Sequence, residues 1–233
     1  MDDFNKTHMS GVYSSDRAYQ DTLSDEIPRR TFNIIMGGTL GYGLLLNIIL
    51  CKFGLDYARS IHPLILSLVY LIMGLLGTYI ARKSDNPLIS FLGYNMLVVP
   101  FGLVLSVIVE SYGGLSSAVV THSFVITLEL TALMAVVSVL VPDVMEKIGG
   151  FLMVALIAIL VVFIIELILG RPFIIVAYIS AGIFSLYIGY DIHKAQSAPS
   201  TVDSAVDSAL DVYLDIINLF LQILRISGSK SKR

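Results

Sequence analysis

The stretch "AVDSALDVYLDIINLFLQILRI", Ala205 to Ile226, decides how the chain is read. It is apolar enough to sit in lipid, yet it carries Asp207, Asp211 and Asp215 at intervals of four. Positions three and four apart share one face of a helix. Asp203 extends the row backward, and Asn218, Gln222 and Arg225 extend it forward, at spacings of 4, 4, 4, 3, 4 and 3. The remaining surface is Leu, Ile, Val, Tyr and Phe. The segment is therefore one polar stripe on an otherwise apolar cylinder. One alternative is a helix lying on a membrane surface, but such helices carry a broad basic face. A narrow acidic stripe suits a place inside a bundle, turned toward a polar interior.

The whole chain agrees with a lipid setting. Of its 233 residues 56% are hydrophobic and 14% charged, with mean hydropathy +0.82. Soluble domains carry about 25% charged residues. The net charge of −3 gives no basic surface for a nucleic-acid partner, so none is expected. Cys51 is alone, which excludes an intrachain disulfide and a multi-cysteine metal site. Trp is absent, so Tyr and Phe must supply any aromatic belt. No short apolar core follows a basic start, and no cleavable signal is expected.

A span needs about 20 mostly apolar residues. Six segments qualify: 31–53, 62–81, 88–109, 117–140, 148–169 and 173–191, with 205–226 as a seventh. Breaks such as "RKSDNP", "PDVMEK" and "GRP" separate them. Backbone groups in lipid must be satisfied internally, so the spans are helices. The expected architecture is an all-α membrane bundle over residues 31–226. Before it lies a polar cytoplasmic tail, 1–30, with a short surface helix ahead of Pro28; after it comes a basic tail, 227–233. Glycines in "GGTLGYG" and "MGLLG" read as sites of close helix packing. Pro100 should bend the third span.

Lysines and arginines in short loops set orientation. With the amino terminus inside, Lys6, Arg17, Arg29, Arg30, Arg82, Lys83 and Lys147 lie inside, against Lys52, Arg59 and Arg171 outside. If the seventh segment crosses, Arg225, Lys230, Lys232 and Arg233 fall outside, against the rule. A re-entrant segment keeps them inside. Length and apolarity favour a crossing; charge favours a return.

An Asp at the centre of a membrane helix costs about 2.5–3.5 kcal/mol on insertion scales. Asp207 lies near the start of its segment, Asp211 is intermediate, and Asp215 is near the middle. Asp215 therefore needs a proton, a cation, water or an opposite charge, which makes it a functional candidate. Its expected companion is Asp191, at the end of the sixth span. Two nearby carboxylates titrate as a coupled pair and can hold a cation transiently. They are too few for a tight calcium site, which takes six to eight oxygens. Asp211 and Glu129 are accessory candidates. Glu129, mid-way along the fourth span, either faces the interior or bonds a neighbouring helix. Glu110, Glu166, His62 and His193 fall near span ends and read as interfacial. His122 has no ligand partner at i+4, and no HExxH, Walker or Rossmann pattern occurs.

"SLYIGYDIHKAQ" (185–196) followed by "ALDVYLDIINLFLQILRI" (209–226) resembles the carboxy-terminal signature of the Bax inhibitor-1 family. These are the transmembrane Bax inhibitor motif proteins, YccA-like in bacteria. The resemblance covers residues 30–226 and is sharpest in the last third. It implies a seven-helix bundle with the last helix at its centre, in a bacterial cell (inner) membrane. The function it implies is a pH-sensitive calcium leak, not an enzyme, with no cofactor and calcium as the permeating ion. Asp191 and Asp215 would be the ion-binding, pH-sensing pair. Arg82, or failing it Lys83, would latch onto Asp191. The second span lacks an acid that some relatives carry, and Glu129 is an addition. YccA-like relatives also imply a regulator that binds a membrane quality-control protease, with the amino-terminal tail as contact. A third reading is an intramembrane aspartyl protease, since "GYD" at Gly189–Asp191 resembles its first motif. The second motif, Gly-x-Gly-Asp, and the Pro-Ala-Leu element are absent.

Overall fold

The computed structural model describes residues 26–231; the expected surface helix ahead of Pro28 and most of the amino-terminal tail lie outside that range. Among the described residues the chain forms eight helices and no strand. They are α1 (Arg29–Phe53), α2 (Leu55–Ser60), α3 (Pro63–Lys83), α4 (Pro87–Ser111), α5 (Ala118–Leu140), α6 (Pro142–Leu169), α7 (Ile174–Ser197) and α8 (Val202–Ser231). Six of them, α1 and α3 to α7, are long and apolar enough to cross a membrane.

Helix starts follow local chemistry. Proline is tolerated in the first turn, where its missing N–H has no partner to lose. Pro63, Pro87 and Pro142 each occupy that position. The side chains of His62 and Asn86 accept the orphan N–H groups of Leu64 (3.3 Å) and Leu88 (2.9 Å). Gly170 closes α6 with a left-handed backbone, φ 60°. The expected break "PDVMEK" is nearly absent: only Val141 separates α5 from α6. Pro142 begins a helix here, and Asp143 in its first turn suits the positive end of the helix dipole. Likewise α7 continues past Asp191 to Ser197, and α4 continues through Pro100.

Glycines set two close approaches. A Cβ on Gly77 would strike the carbonyl of Gly93, and one on Gly93 would strike the carbonyl of Gly77, so α3 and α4 touch through their backbones. Gly43 lies against the ring of Tyr94. Gly37, Gly38 and Gly41 face open space instead.

Helix α8 packs against α1, α3, α4, α5 and α7. None of its residues from Val202 to Ser229 is exposed, which does not fit a helix lying on a surface. It carries two apolar rows. Ala205, Ala209, Val212, Ile216, Leu219 and Ile223 join the cluster built with α7 and α5. Val206, Leu210, Tyr213, Ile217, Phe220 and Leu224 join the cluster built with α4. The polar row fills the gap between them. Helix α6 is the opposite case: Phe151, Met153, Val154 and Leu167 are among many exposed apolar residues along it. Water would not tolerate such a surface, but lipid would.

Candidate functional site at the polar seam

The short link between α7 and α8 folds them antiparallel and sets Asp191 beside the row on α8. The carboxyl groups of Asp191 and Asp215 lie within hydrogen-bond reach of each other. Asp215 is 7% exposed, and its Oδ2 has no hydrogen-bond partner. Tyr187, one turn before Asp191, faces the same two carboxyls.

One turn toward the start of α8, Asp211 sits between two cations. Arg82, from the end of α3, donates to its Oδ1, and Lys194 Nζ donates to Oδ2 at 3.1 Å. Arg82 thus reaches the seam, whereas Lys83 turns to the hydroxyl of Tyr79 at 3.1 Å. The resemblance implied an Arg82–Asp191 contact; the guanidinium is bonded to Asp211 instead. The end of α3 meets α8 at the level of Asp211, one turn short of Asp215. Asp203 begins the row and accepts from Ser90 Oγ at 2.5 Å.

These groups surround a cavity of about 190 Å³, lined by Arg82, Asp191, Lys194, Asp207, Asp211 and the small residues beside them. It lies at the end of the bundle that holds the α7–α8 link. Asp191 belongs to both its wall and the carboxyl pair, so Asp215 stands behind it, deeper along the seam. Beyond Asp215 the row continues to Gln222, 7% exposed with an unpartnered Oε1. It ends at Arg225, which donates to Glu166 Oε1 at 2.6 Å. That same oxygen accepts the Phe173 backbone N–H at 2.6 Å.

The other candidates divide. Glu110 pairs with Arg59 at 3.2 Å, and both are exposed. Glu129 is exposed on α5, so neither expected placement, interior or bonded to a neighbouring helix, holds. No group of three or more metal-ligating side chains occurs among the described residues. Asp207, read from the sequence as the start of the row, lines the cavity, whereas Lys194 was not singled out from the sequence. Lys194 stands three residues after Asp191, a spacing that puts both on one helix face and was the available signal.

A carboxyl pair with one member in the wall of a charged cavity and the other buried behind it, within a set of membrane-length helices, defines a multi-pass helical membrane protein with an ionisable interior. The family model described as "Inhibitor of apoptosis-promoting Bax1" matches residues 25–232, and the chain belongs to this Bax inhibitor-1 family. No curated protein matches the chain.

Proposed function

We propose that the chain is a pH-sensitive calcium leak of a bacterial cell membrane, with α8 as a seventh span at the axis of the bundle. Calcium enters the cavity beside Asp207 and Asp211, is passed to Asp191 and Asp215, and leaves along Asn218 and Gln222. The observation that carries this reading is the Asp191–Asp215 pair, Asp191 in the wall of the cavity and Asp215 behind it, with Asp215 Oδ2 left unpartnered. An unpaired carboxylate away from water is costly, and a passing cation or a proton relieves it. Two carboxylates bind calcium weakly, and weak binding lets an ion leave as well as enter.

The closed state is held by the Arg82–Asp211–Lys194 group, which ties α3, α7 and α8 together at the mouth. Protonation of the seam changes the charge these cations face and shifts the population of the open state. Calcium flux into liposomes holding the purified chain, followed across pH, tests this. Flux above that of protein-free vesicles and dependent on pH is expected; flux no greater than in empty vesicles overturns it.

A further inference from the structure

Helix α5 has a second row that the leak does not use. Ala118, His122, Val125, Glu129, Ala132, Val136 and Val139 recur at spacings of 4, 3, 4, 3, 4 and 3. Every one of these seven is exposed. The opposite face, with Val120, Ser123, Thr127, Met134 and Ser138, is the buried one. A 4-3 repeat sustained over the length of a helix is the seam of a left-handed helix pair. Small and β-branched residues on such a seam let two membrane helices approach closely. All five apolar seam positions are exposed together with their flanks Leu128 and Leu133, so the row is uncovered along its whole length.

Glu129 sits mid-way along this row and forms no hydrogen bond or ion pair among the described residues. An acid at that depth costs about 2.5–3.5 kcal/mol against lipid unless something meets it. Among the described residues the lysines and arginines stand toward helix ends or in the links between helices, so none of the described mid-span surfaces offers a cation. A parallel copy of α5 does offer a partner. In register, Glu129 meets Glu129, and one carboxyl donates its proton to the other. His122 then meets His122, where one ring N–H reaches the other ring nitrogen. Both polar residues occupy the same heptad position, the one at which a polar side chain fixes register.

We propose that a second copy of this chain docks along the α5 seam, about a two-fold axis normal to the membrane, with Glu129 pairing across it. Copies inserted with one orientation meet in parallel, and a two-fold contact presents the same patch from both sides. This proposal does not rest on the calcium reading.

The test uses the full chain with Cys51→Ser, reconstituted in liposomes, with single cysteines at Ala118, Val125, Ala132 or Val139 and a control at Val154 on the exposed face of α6. Oxidation is expected to give a cross-linked dimer from the seam positions and not from Val154→Cys. In parallel, dimer fraction is followed by energy transfer as the protein-to-lipid ratio is varied. Glu129→Leu should weaken association about three- to tenfold, the scale of an interhelical hydrogen bond in lipid, while Glu129→Gln keeps it. Cross-linking without preference for the seam, a monomer at every ratio, or equal association of Glu129→Leu and wild type would each overturn the proposal. So would capture of the seam cysteines by a different membrane protein in native membranes while self-cross-links are absent.

Discussion

At the scale of single residues, the proposed leak gives Asp215 and Asp211 separate tasks. Asn at position 215 keeps the shape and hydrogen bonding of the side chain but removes its titration. Two acids in contact titrate as one coupled system, so removing one member removes the coupling. Asp215→Asn is therefore expected to stay folded, to flatten the pH profile of calcium flux between pH ~5 and ~8, and to lower calcium occupancy. A folded variant with the wild-type profile would assign pH sensing elsewhere. The latch is tested by a pair of variants. If Arg82 closes the mouth through Asp211, Arg82→Ala and Asp211→Asn should both raise flux near neutral pH, because each removes the same charge-assisted contact. A rise with Arg82→Ala alone would mean that the guanidinium acts on Asp191 in solution. The sequence made Asp215 visible, since an acid in the middle of an apolar helix is rare. It could not assign the partner of Arg82, because Asp207, Asp211 and Asp215 differ only by one helical turn. Which turn the end of α3 meets depends on the packing of three helices.

At the scale of elements, the glycines offer a contrast within one substitution type. Gly77 has the carbonyl of Gly93 where a Cβ would go, and the Met96 Cβ only 2.9 Å from it. Gly37 has nothing within 4 Å. Gly77→Ala must push α3 off α4 and should destabilise by about 1–3 kcal/mol, the cost of overpacking. Gly37→Ala costs no packing and gains up to ~1 kcal/mol in helix propensity. Thermal unfolding in one detergent should place the two variants on opposite sides of wild type. The glycine motifs were readable as close-packing sites, but not which of them met a neighbour. Helix boundaries were readable where a cap and a proline coincided, as at Asn86–Pro87. They were misplaced at "PDVMEK", where charge suggested a loop while Pro142 and Asp143 instead begin a helix. Helix α8 was the most readable element, because its polar row and its two apolar rows all follow helical spacing over six turns or so.

At the scale of the whole molecule, charge counting and packing disagree about the end of the chain. The contacts of α8 favour packing. At its start, the last turn of α7 and the α7–α8 link supply the carbonyls of Ala195 and Ala198 to Arg29, the first residue of α1, at 3.2 and 2.8 Å. At its far end, Arg225 is bonded to Glu166 near the end of α6, and Gly228 lies against Tyr112 at the end of α4. The first residue of α1 and the last turns of α4 and α6 are at opposite ends of the bundle, since α1, α4 and α6 run the same way. Helix α8 thus passes from one end to the other without a return, over 30 residues or about 45 Å at 1.5 Å each, more than the hydrocarbon core is thick. The charge argument loses weight for a physical reason: Arg225 is neutralised by Glu166 and is not a free loop charge. The carboxy-terminal end should therefore lie on the side opposite the α3–α4 turn. With Cys51→Ser as background, Ser229→Cys and Ser84→Cys can be probed in sealed vesicles of known orientation with a membrane-impermeant thiol reagent. Labelling of each from a different side is expected. Labelling of both from the same side would mean that α8 does not cross, and would remove the through-going seam on which the proposed leak depends.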